Sequence, residues 1–322
     1  MALPLISLRD SSTTISRIIL GGHEYLRDGR SRAFNEDMEK AITPGYLFPR
    51  FGGEQRLAVV ERALRLGITT FDVTTDSEKE ALGRNFIQLD VGSGLVVQTR
   101  PEGMVYGYDE FNRKLVEPGC LRDEVRRILD LMQRNCLDIL NIGILSSAEA
   151  HDLNYIAKLA DVVHELKSEG LIRCAAADTF SGANTYLSMI RSDAFETMNL
   201  NFNFANDAAL EEVIPAARER GLRVVAREIF IKGALFGMAQ EIGLEDKGLV
   251  ARAAMKWVAG IEGIDALILG ADNPNQLEEG VQAAMSAQLS AEEDQALSRL
   301  QGCEQLRLLR ARNYDEFVLE SR

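Results

Sequence analysis

Hydrophobic positions along the chain switch repeatedly between two periods. Apolar residues spaced three and four apart, the mark of one helix face, alternate with short β-branched or wholly apolar runs. Gln55 to Leu66 reads as an amphipathic helix that stops at Gly67, a residue that takes the left-handed conformation at little cost. The β-rich run Ile68 to Phe71 follows and leads directly into Asp72. The same handover recurs down the chain. Strands are predicted at Arg17–Gly22, Thr69–Phe71, Gly94–Gln98, Leu137–Gly143, Ile172–Ala177, Thr197–Phe204, Arg223–Arg227 and Ala266–Leu269. Helices are predicted at Ser77–Phe86, Leu121–Asn135, Asp152–Glu169, Ala183–Arg191, Ala208–Arg220, Lys247–Gly260 and Pro274–Ala284, with a capping box from Ser77 to Glu80.

Leu137–Gly143 is almost continuously apolar, as a parallel strand buried on both faces should be. Short strand–helix units in series call for a parallel sheet with right-handed crossovers, and eight of them close into a (β/α)8 TIM barrel. No stretch rich in Pro, Gly or Ser divides the chain, so residues 1–322 form one barrel domain. The loops after the first and third strands, Gly21–Gly53 and Thr99–Gly119, are too long to be connectors. They read as binding loops or lids, the other reading being solvated insertions. Both leave the rim where such barrels keep their chemistry, and so does Asp72.

Composition narrows the class. A formal net charge of −13 disfavours nucleic acid and anionic membrane as partners. No apolar run reaches the roughly 18 residues that span a bilayer, and the N-terminus lacks a secretory pattern. A cytoplasmic protein acting on a small molecule is expected, and homo-oligomerisation is compatible with this composition. The four cysteines form no C-x-x-C pair and read as reduced thiols. With three histidines, no metal centre is expected. Asp72, Asp178 and Glu228 offer oxygen ligands but no ligand spacing.

The strand ends present an unusual set of charges: His23 and Glu24, Asp72, Arg100 and Glu102, Asp178, Arg227 and Glu228, and Lys232, with the amides of Asn199 and Asn203. Such charges are costly to bury unless they pair with one another or with an anionic substrate. His23 follows Gly21-Gly22 and is placed for acid–base work, or else is a loop histidine bonded to a carbonyl. Arginine keeps its charge and offers a planar fork suited to carboxylate or phosphate.

Six segments in sequence, GITTFDVTTDSEKEALGR, VVQTR, LDILNIGIL, LKSEGLIRCAAADTF, AARERGLRVVAREIFIKGAL and ILGADNPNQLEEGVQAA, resemble those of the aldo-keto reductases over roughly Arg17 to Ala284. The resemblance implies an NAD(P)-dependent barrel whose catalytic set is Asp, Tyr, Lys and His. Asp72 matches the first. The tyrosine has no counterpart in the short Thr74–Ser77 segment, Arg100 stands at the lysine position, and Gly143 stands at the histidine position. Asp178-Thr179 replaces the Ser-Asn that holds the nicotinamide amide, and Asn199 replaces a Gln. Arg227 replaces the stacking aromatic, where its charge would repel an oxidised nicotinamide. Phe230, Gly270 and Gln276 complete the implied cofactor positions. Asp272, close to where a 2′-phosphate would lie, favours NAD over NADP.

The expected function is a divergent aldo-keto reductase-like oxidoreductase acting on a small polar or acidic carbonyl or hydroxy compound. Asp72 and Arg100 keep family roles, and His23 or Tyr25 supplies the missing proton, with Glu24 beside them. Tyr25, Arg227, Glu228 and Lys232 face the substrate. The alternative is a cofactor-free lyase, dehydratase or isomerase in which the arginines hold an anion while His23 and a carboxylate move protons. The tail ending NYDEFVLESR either closes over the mouth, as in the family, or packs outside.

Overall fold

Gly67 adopts φ +83° behind the helix Glu54–Arg65, and the chain turns there into a strand that carries Asp72. The structure, a computed structural model, describes residues 3–9, 11–25, 31–91, 94–117, 119–286 and 288–319. Residues 26–30 of the first long loop and 320–322 of the tail lie outside the described residues. Two short strands, Leu5–Ser7 (β1) and Thr14–Ser16 (β2), pair antiparallel ahead of the barrel. Three-residue strands are too short to show a period, and the sequence reading missed them.

The barrel strands are Ile18–Gly21 (β3), Thr70–Val73 (β4), Val96–Thr99 (β5), Leu137–Ile144 (β6), Ile172–Thr179 (β7), Thr197–Asn201 (β8), Arg223–Arg227 (β9) and Ala266–Leu269 (β10). They close in the order β10-β3-β4-β5-β6-β7-β8-β9, each neighbour parallel. All eight predicted strands are present, and the expected (β/α)8 barrel is the fold.

Side chains alternate between the barrel axis and the helices. At the end where strands begin, Ile19, Val96, Ile139, Ala176 and Val225 meet Leu8 and Ile15 of the hairpin, which plugs that end with apolar groups. Two residues further along six of the eight strands the inward positions are polar: Asp72 after Thr70, Gln98 and then Arg100 after Val96, Asn141 after Ile139, Asp178 after Ala176, Asn199 after Thr197, Arg227 after Val225. The alternate positions, such as Leu20, Phe71, Val97, Leu140 and Leu200, face the surrounding helices in the main core. The site is therefore the polar upper half of an otherwise apolar barrel.

The helix after β4 spans Asp76–Gln88, and its cap is Thr75, whose side chain accepts from the Glu78 N–H. The predicted Ser77–Glu80 box is not formed because Ser77 Oγ accepts from Phe48 N–H at 2.8 Å instead. That bond ties the first long loop to the helix. The Gly45 N–H to Asp76 contact at 2.7 Å does the same, and Phe48 and Phe51 form a small core with Ala33, Ala41 and Ala81. Lys79, wholly buried, joins the second long loop by bonding Asp76 at 2.9 Å and Glu102 at 3.2 Å. Asn112 pins that loop through Met104 O, Tyr106 O and Leu145 N. The described parts of both loops are thus anchored structure, not solvated insertions.

Predicted Ala208–Arg220 is a short 3-10 turn followed by a helix at Val213–Glu219. The tail forms two helices that were not predicted, Ala291–Gln301 and Glu304–Leu319. The last docks outside the barrel, with Arg310 on Asp207, Asn313 on Ala205 O, Tyr314 on Glu211, and Phe317 beside Tyr186. No helix among the described residues is long and apolar enough to cross a membrane.

Candidate active site

Gly22 determines where the first loop begins. A Cβ there would lie 2.8 Å from Glu78 Oε2 and 3.0 Å from Asp72 O, so only glycine lets the chain pass this close to the end of β4. The next residue, His23, places Nδ1 2.8 Å from Glu78 Oε1. Glu78 is buried, and its other oxygen accepts from Thr74 N–H at 2.7 Å and from Thr74 Oγ1 at 2.9 Å. Burial works to raise the Glu78 carboxyl, but His23 and the Thr74 bonds prevail and hold it at about 2. Burial likewise pushes the imidazole down, and the charge and hydrogen bond of Glu78, with Asp72 beyond it, raise it above the ordinary histidine value. His23 is therefore held at Nδ1 by a carboxylate that favours its protonated form, with Nε2 left for proton exchange. Its partner is Glu78 and not a backbone carbonyl.

Asp72 accepts from Gln98 Nε2 at 2.8 Å. Burial raises its carboxyl above the usual carboxylate range, against the opposing influence of that bond and of Arg227.

The largest departure from the expected site is Tyr106, on the loop after β5. A Cβ on Gly143 would fall within 2.5 Å of Tyr106 Cζ, so the position implied to carry a histidine is filled by this ring. Tyr106 has φ +50°, a conformation that costs a non-glycine residue on the order of 1 kcal/mol. Its hydroxyl donates to Asp178 Oδ2 at 2.6 Å. Asp178 is fully buried and also accepts from Asn141 Nδ2 at 3.1 Å and from both terminal nitrogens of Arg227, at 2.6 and 2.7 Å. Arg227 Nε donates to Asn201 Oδ1 at 2.7 Å, and Phe180 lies under the guanidinium at 5.2 Å. Burial disfavours the Arg227 charge, yet Asp178 drives its pKa well above the ordinary value.

This pairing corrects two expectations. Arg227 is not a free receptor for a substrate anion, because its fork is spent on Asp178. Asp178 is not free to hold a carboxamide, because its oxygens already take Tyr106, Asn141 and Arg227. The two form a doubly bonded pair with no net charge, so a nicotinamide placed beside it would not meet the bare cation that the sequence implied.

Other buried polar atoms are open. Gln98 Oε1, Asn141 Oδ1, and both Nδ2 and Oδ1 of Asn199 have no hydrogen-bond partner, and neither do Nε and Nη2 of Arg100. A buried group without a partner costs about 1–3 kcal/mol, more when charged. All of these lie in the polar half of the barrel. The open Asn199 amide, with a donor and an acceptor at the position implied for a nicotinamide amide, and the neutral Arg227–Asp178 pair fit a nicotinamide. Direct bonding by Asp178 does not form part of that fit.

Arg100 is buried at 7% exposure, with its guanidinium 5.5 Å from the Phe34 ring, 5.5 Å from Tyr106 and 5.4 Å from Tyr108. Three cation–π contacts of about 0.5–2 kcal/mol each and the charge of Glu102 offset the burial of the cation, but they leave its Nε and Nη2 without hydrogen bonds.

The remaining expected site residues are distributed around this centre. Tyr25 reaches over the end of β10, its hydroxyl 2.5 Å from where a Gly270 Cβ would be, and burial together with Asp272 pushes it up to about 12. Gln276 Oε1 accepts from Asp272 N–H at 2.9 Å. Thr179 Oγ1 accepts from Ser181 N–H at 2.9 Å, and Phe230 packs on Phe236 at 5.4 Å. Glu24 binds Arg32 at 3.1 Å and the Gly52 N–H, so it braces the loop and does not serve His23. Lys232 is 72% exposed and pairs with Glu228 at 3.4 Å, so neither joins the central cluster. Glu78 and Tyr106 are the residues that the sequence reading missed. The adjacent Gly22 and the glycine at position 143 were the available signals.

A search of curated protein sequences gave no match. Among solved structures, the aldo-keto reductase AKR11C1 from Bacillus halodurans in its holo form is similar at TM-score 0.65 and 17% identity, covering 92% of this chain and 96% of that one. The glycerol dehydrogenase AKR11B4 from Gluconobacter oxydans is similar at TM-score 0.65 and 19% identity, covering 93% and 95%. At these identities the likeness establishes the fold. The profile of the aldo/keto reductase family matches residues 49–243, more than half of the sequence and the part that contains Asp72, Arg100, Asp178 and Arg227. By that match the chain belongs to the aldo/keto reductase family, a family of nicotinamide-dependent oxidoreductases.

Proposed function

We propose that the protein is a nicotinamide-dependent oxidoreductase acting on a small polar or acidic carbonyl or hydroxy compound, with NAD favoured over NADP. The observation that carries this reading is the His23–Glu78 pair, an imidazole from the loop after β3 whose protonated form is favoured by the carboxylate it bonds, in a chain with no tyrosine in the Thr74–Ser77 segment. When bound, the nicotinamide exchanges hydride with the substrate. In reduction, His23 gives the Nε2 proton to the carbonyl oxygen while Glu78 holds Nδ1 and keeps the ring oriented. In oxidation, the neutral ring takes the hydroxyl proton. Asp72, fixed by Gln98, keeps a negative charge near the imidazole.

Asn199 and the Arg227–Asp178 pair support the nicotinamide end. Gly270 and Gln276 line the β10 loop, and Asp272 in that loop disfavours a 2′-phosphate. Thr179 and Phe230 flank the β7 and β9 ends. Tyr25 closes the β10 side of the substrate space. Glu24 holds the loop that carries His23.

The test is NADH oxidation by the purified protein over a panel of aldehydes, ketones and oxo acids. Loss of a positioned general acid costs about 10²–10⁴-fold, so His23→Ala should lower kcat by that order with NADH affinity retained. Full activity in His23→Ala would remove His23 from the chemistry. A second reading, cofactor-free proton transfer on a small anion, is favoured by the unpartnered Nε and Nη2 of Arg100, which would hold the anion near His23. Turnover of a hydroxy acid without nicotinamide would select it.

A further inference from the structure

Two arginines converge on the mouth, and their hydrogen bonding differs. Arg227 has Nη1 and Nη2 on Asp178 and Nε on Asn201, a complete set. Arg100 has Nε and Nη2 buried with no partner. In a guanidinium these two nitrogens point their N–H bonds along one edge, in parallel, at the spacing of the two oxygens of a carboxylate. The nearest acid in sequence, Glu102, has Oε2 on Lys79 at 3.2 Å; its charge favours the Arg100 cation, but its Oε1 has no hydrogen-bond partner and no described carboxylate lies within ion-pair distance of Arg100. The rings of Phe34, Tyr106 and Tyr108 surround the guanidinium at 5.4–5.5 Å and attract a cation, but none accepts a hydrogen bond from Nε or Nη2.

We infer that the open edge of Arg100 is the subsite for a single substrate carboxylate, which receives two parallel hydrogen bonds from Nε and Nη2. This deepens the oxidoreductase reading by naming the substrate class: a short monocarboxylic oxo acid, or the hydroxy acid formed from it. Asp72 and Glu78 add negative charge nearby, which disfavours a dianion such as phosphate. The Phe34 ring lies 5.5 Å from the His23 ring and 5.5 Å from the Arg100 guanidinium, so the proton donor and the fork share one side of the mouth and the substrate between them is short. Phe34 and Tyr108, one from each long loop and both half-buried, cover the subsite, and the acid is admitted by their parting.

The experiment is calorimetric titration of the full-length protein, without nicotinamide, with acetate, pyruvate and the neutral isostere acetamide. Acetate and pyruvate should bind at least tenfold more tightly than acetamide. Arg100→Gln should abolish the difference, and Arg100→Lys, which keeps the charge but not the fork, should weaken pyruvate by about tenfold. Circular dichroism melts establish that both variants are folded. If only Arg100→Lys folds, the fold-change it shows decides the matter. Equal binding of acetate and acetamide, or unchanged pyruvate binding in either folded variant, overturns the subsite. Carboxylate binding with no NADH binding leaves the subsite standing and rejects the redox reading alone.

Discussion

Replacing Glu78 by Gln tests the pair on which the proposed proton chemistry depends. The wild-type carboxyl titrates at about 2 against an ordinary value of 4.5. At about 1.4 kcal/mol for each tenfold change in a protonation equilibrium, that depression corresponds to about 3 kcal/mol of folding free energy. The sign follows from the direction of each shift. Glu78 is depressed, so its contribution is complete above 4.5 and is lost as pH falls towards 2. His23 is raised, so its contribution is complete below 6.5 and is lost as pH rises through its folded value. Wild type should therefore exceed Glu78→Gln most between pH 4.5 and 6.5, with the gap narrowing on both sides. For a chain of this length about 3 kcal/mol corresponds to roughly 6 °C in Tm. Thermal melts of both proteins from pH 3 to 9 provide the assay. A gap that stays constant across that range would show that the pair is not linked to folding and would refute the reasoning.

Three further outcomes are expected. Gly143→Ala forces its methyl into the Tyr106 ring and should destabilise by about 1–3 kcal/mol, read by urea unfolding, with altered near-ultraviolet dichroism from displaced tyrosine. Arg227→Met leaves Asp178 buried without its counter-charge and should cost about 3–5 kcal/mol, while adding Asp178→Asn should recover part of that loss; strictly additive losses in the double variant would contradict the pairing. Reductive kcat/KM should hold at low pH and fall as pH rises through the raised His23 value, above 6.5, and Glu78→Gln should move that fall to lower pH.

The barrel is legible because most of its strands and helices lie in runs long enough to show a period, and Gly67 and Asp72 mark one strand boundary in the sequence itself. The hairpin at Leu5–Ser7 and Thr14–Ser16 was not legible, since three residues carry no period. The last helix, Glu304–Leu319, has no clear apolar stripe along its length and so looked like a tail. At the site, Asp72, Arg100, Asp178, Asn199 and Arg227 were legible because they lie at the ends of predicted strands, where such barrels keep their chemistry, and at positions the family resemblance implies. Their pairing was not found. Arg227 meeting Asp178 depends on the closure of β7, β8 and β9. Tyr106 reaching Gly143 depends on a loop whose course no local rule sets. Glu24 seemed a partner for His23 because it is adjacent in sequence, but it turns to Arg32 and Gly52, while Glu78 arrives from another element.

The central claim is that this barrel mouth still binds a nicotinamide, beside the neutral Arg227–Asp178 pair and the open Asn199 amide. Titration of the purified protein with NADH and NADPH, followed by nicotinamide fluorescence, tests it most directly. The expected result is saturable micromolar NADH binding, weaker NADPH binding, and loss of NADH binding in Asn199→Ala. No binding of either nucleotide at millimolar concentration would contradict the claim and leave cofactor-free acid–base chemistry as the reading.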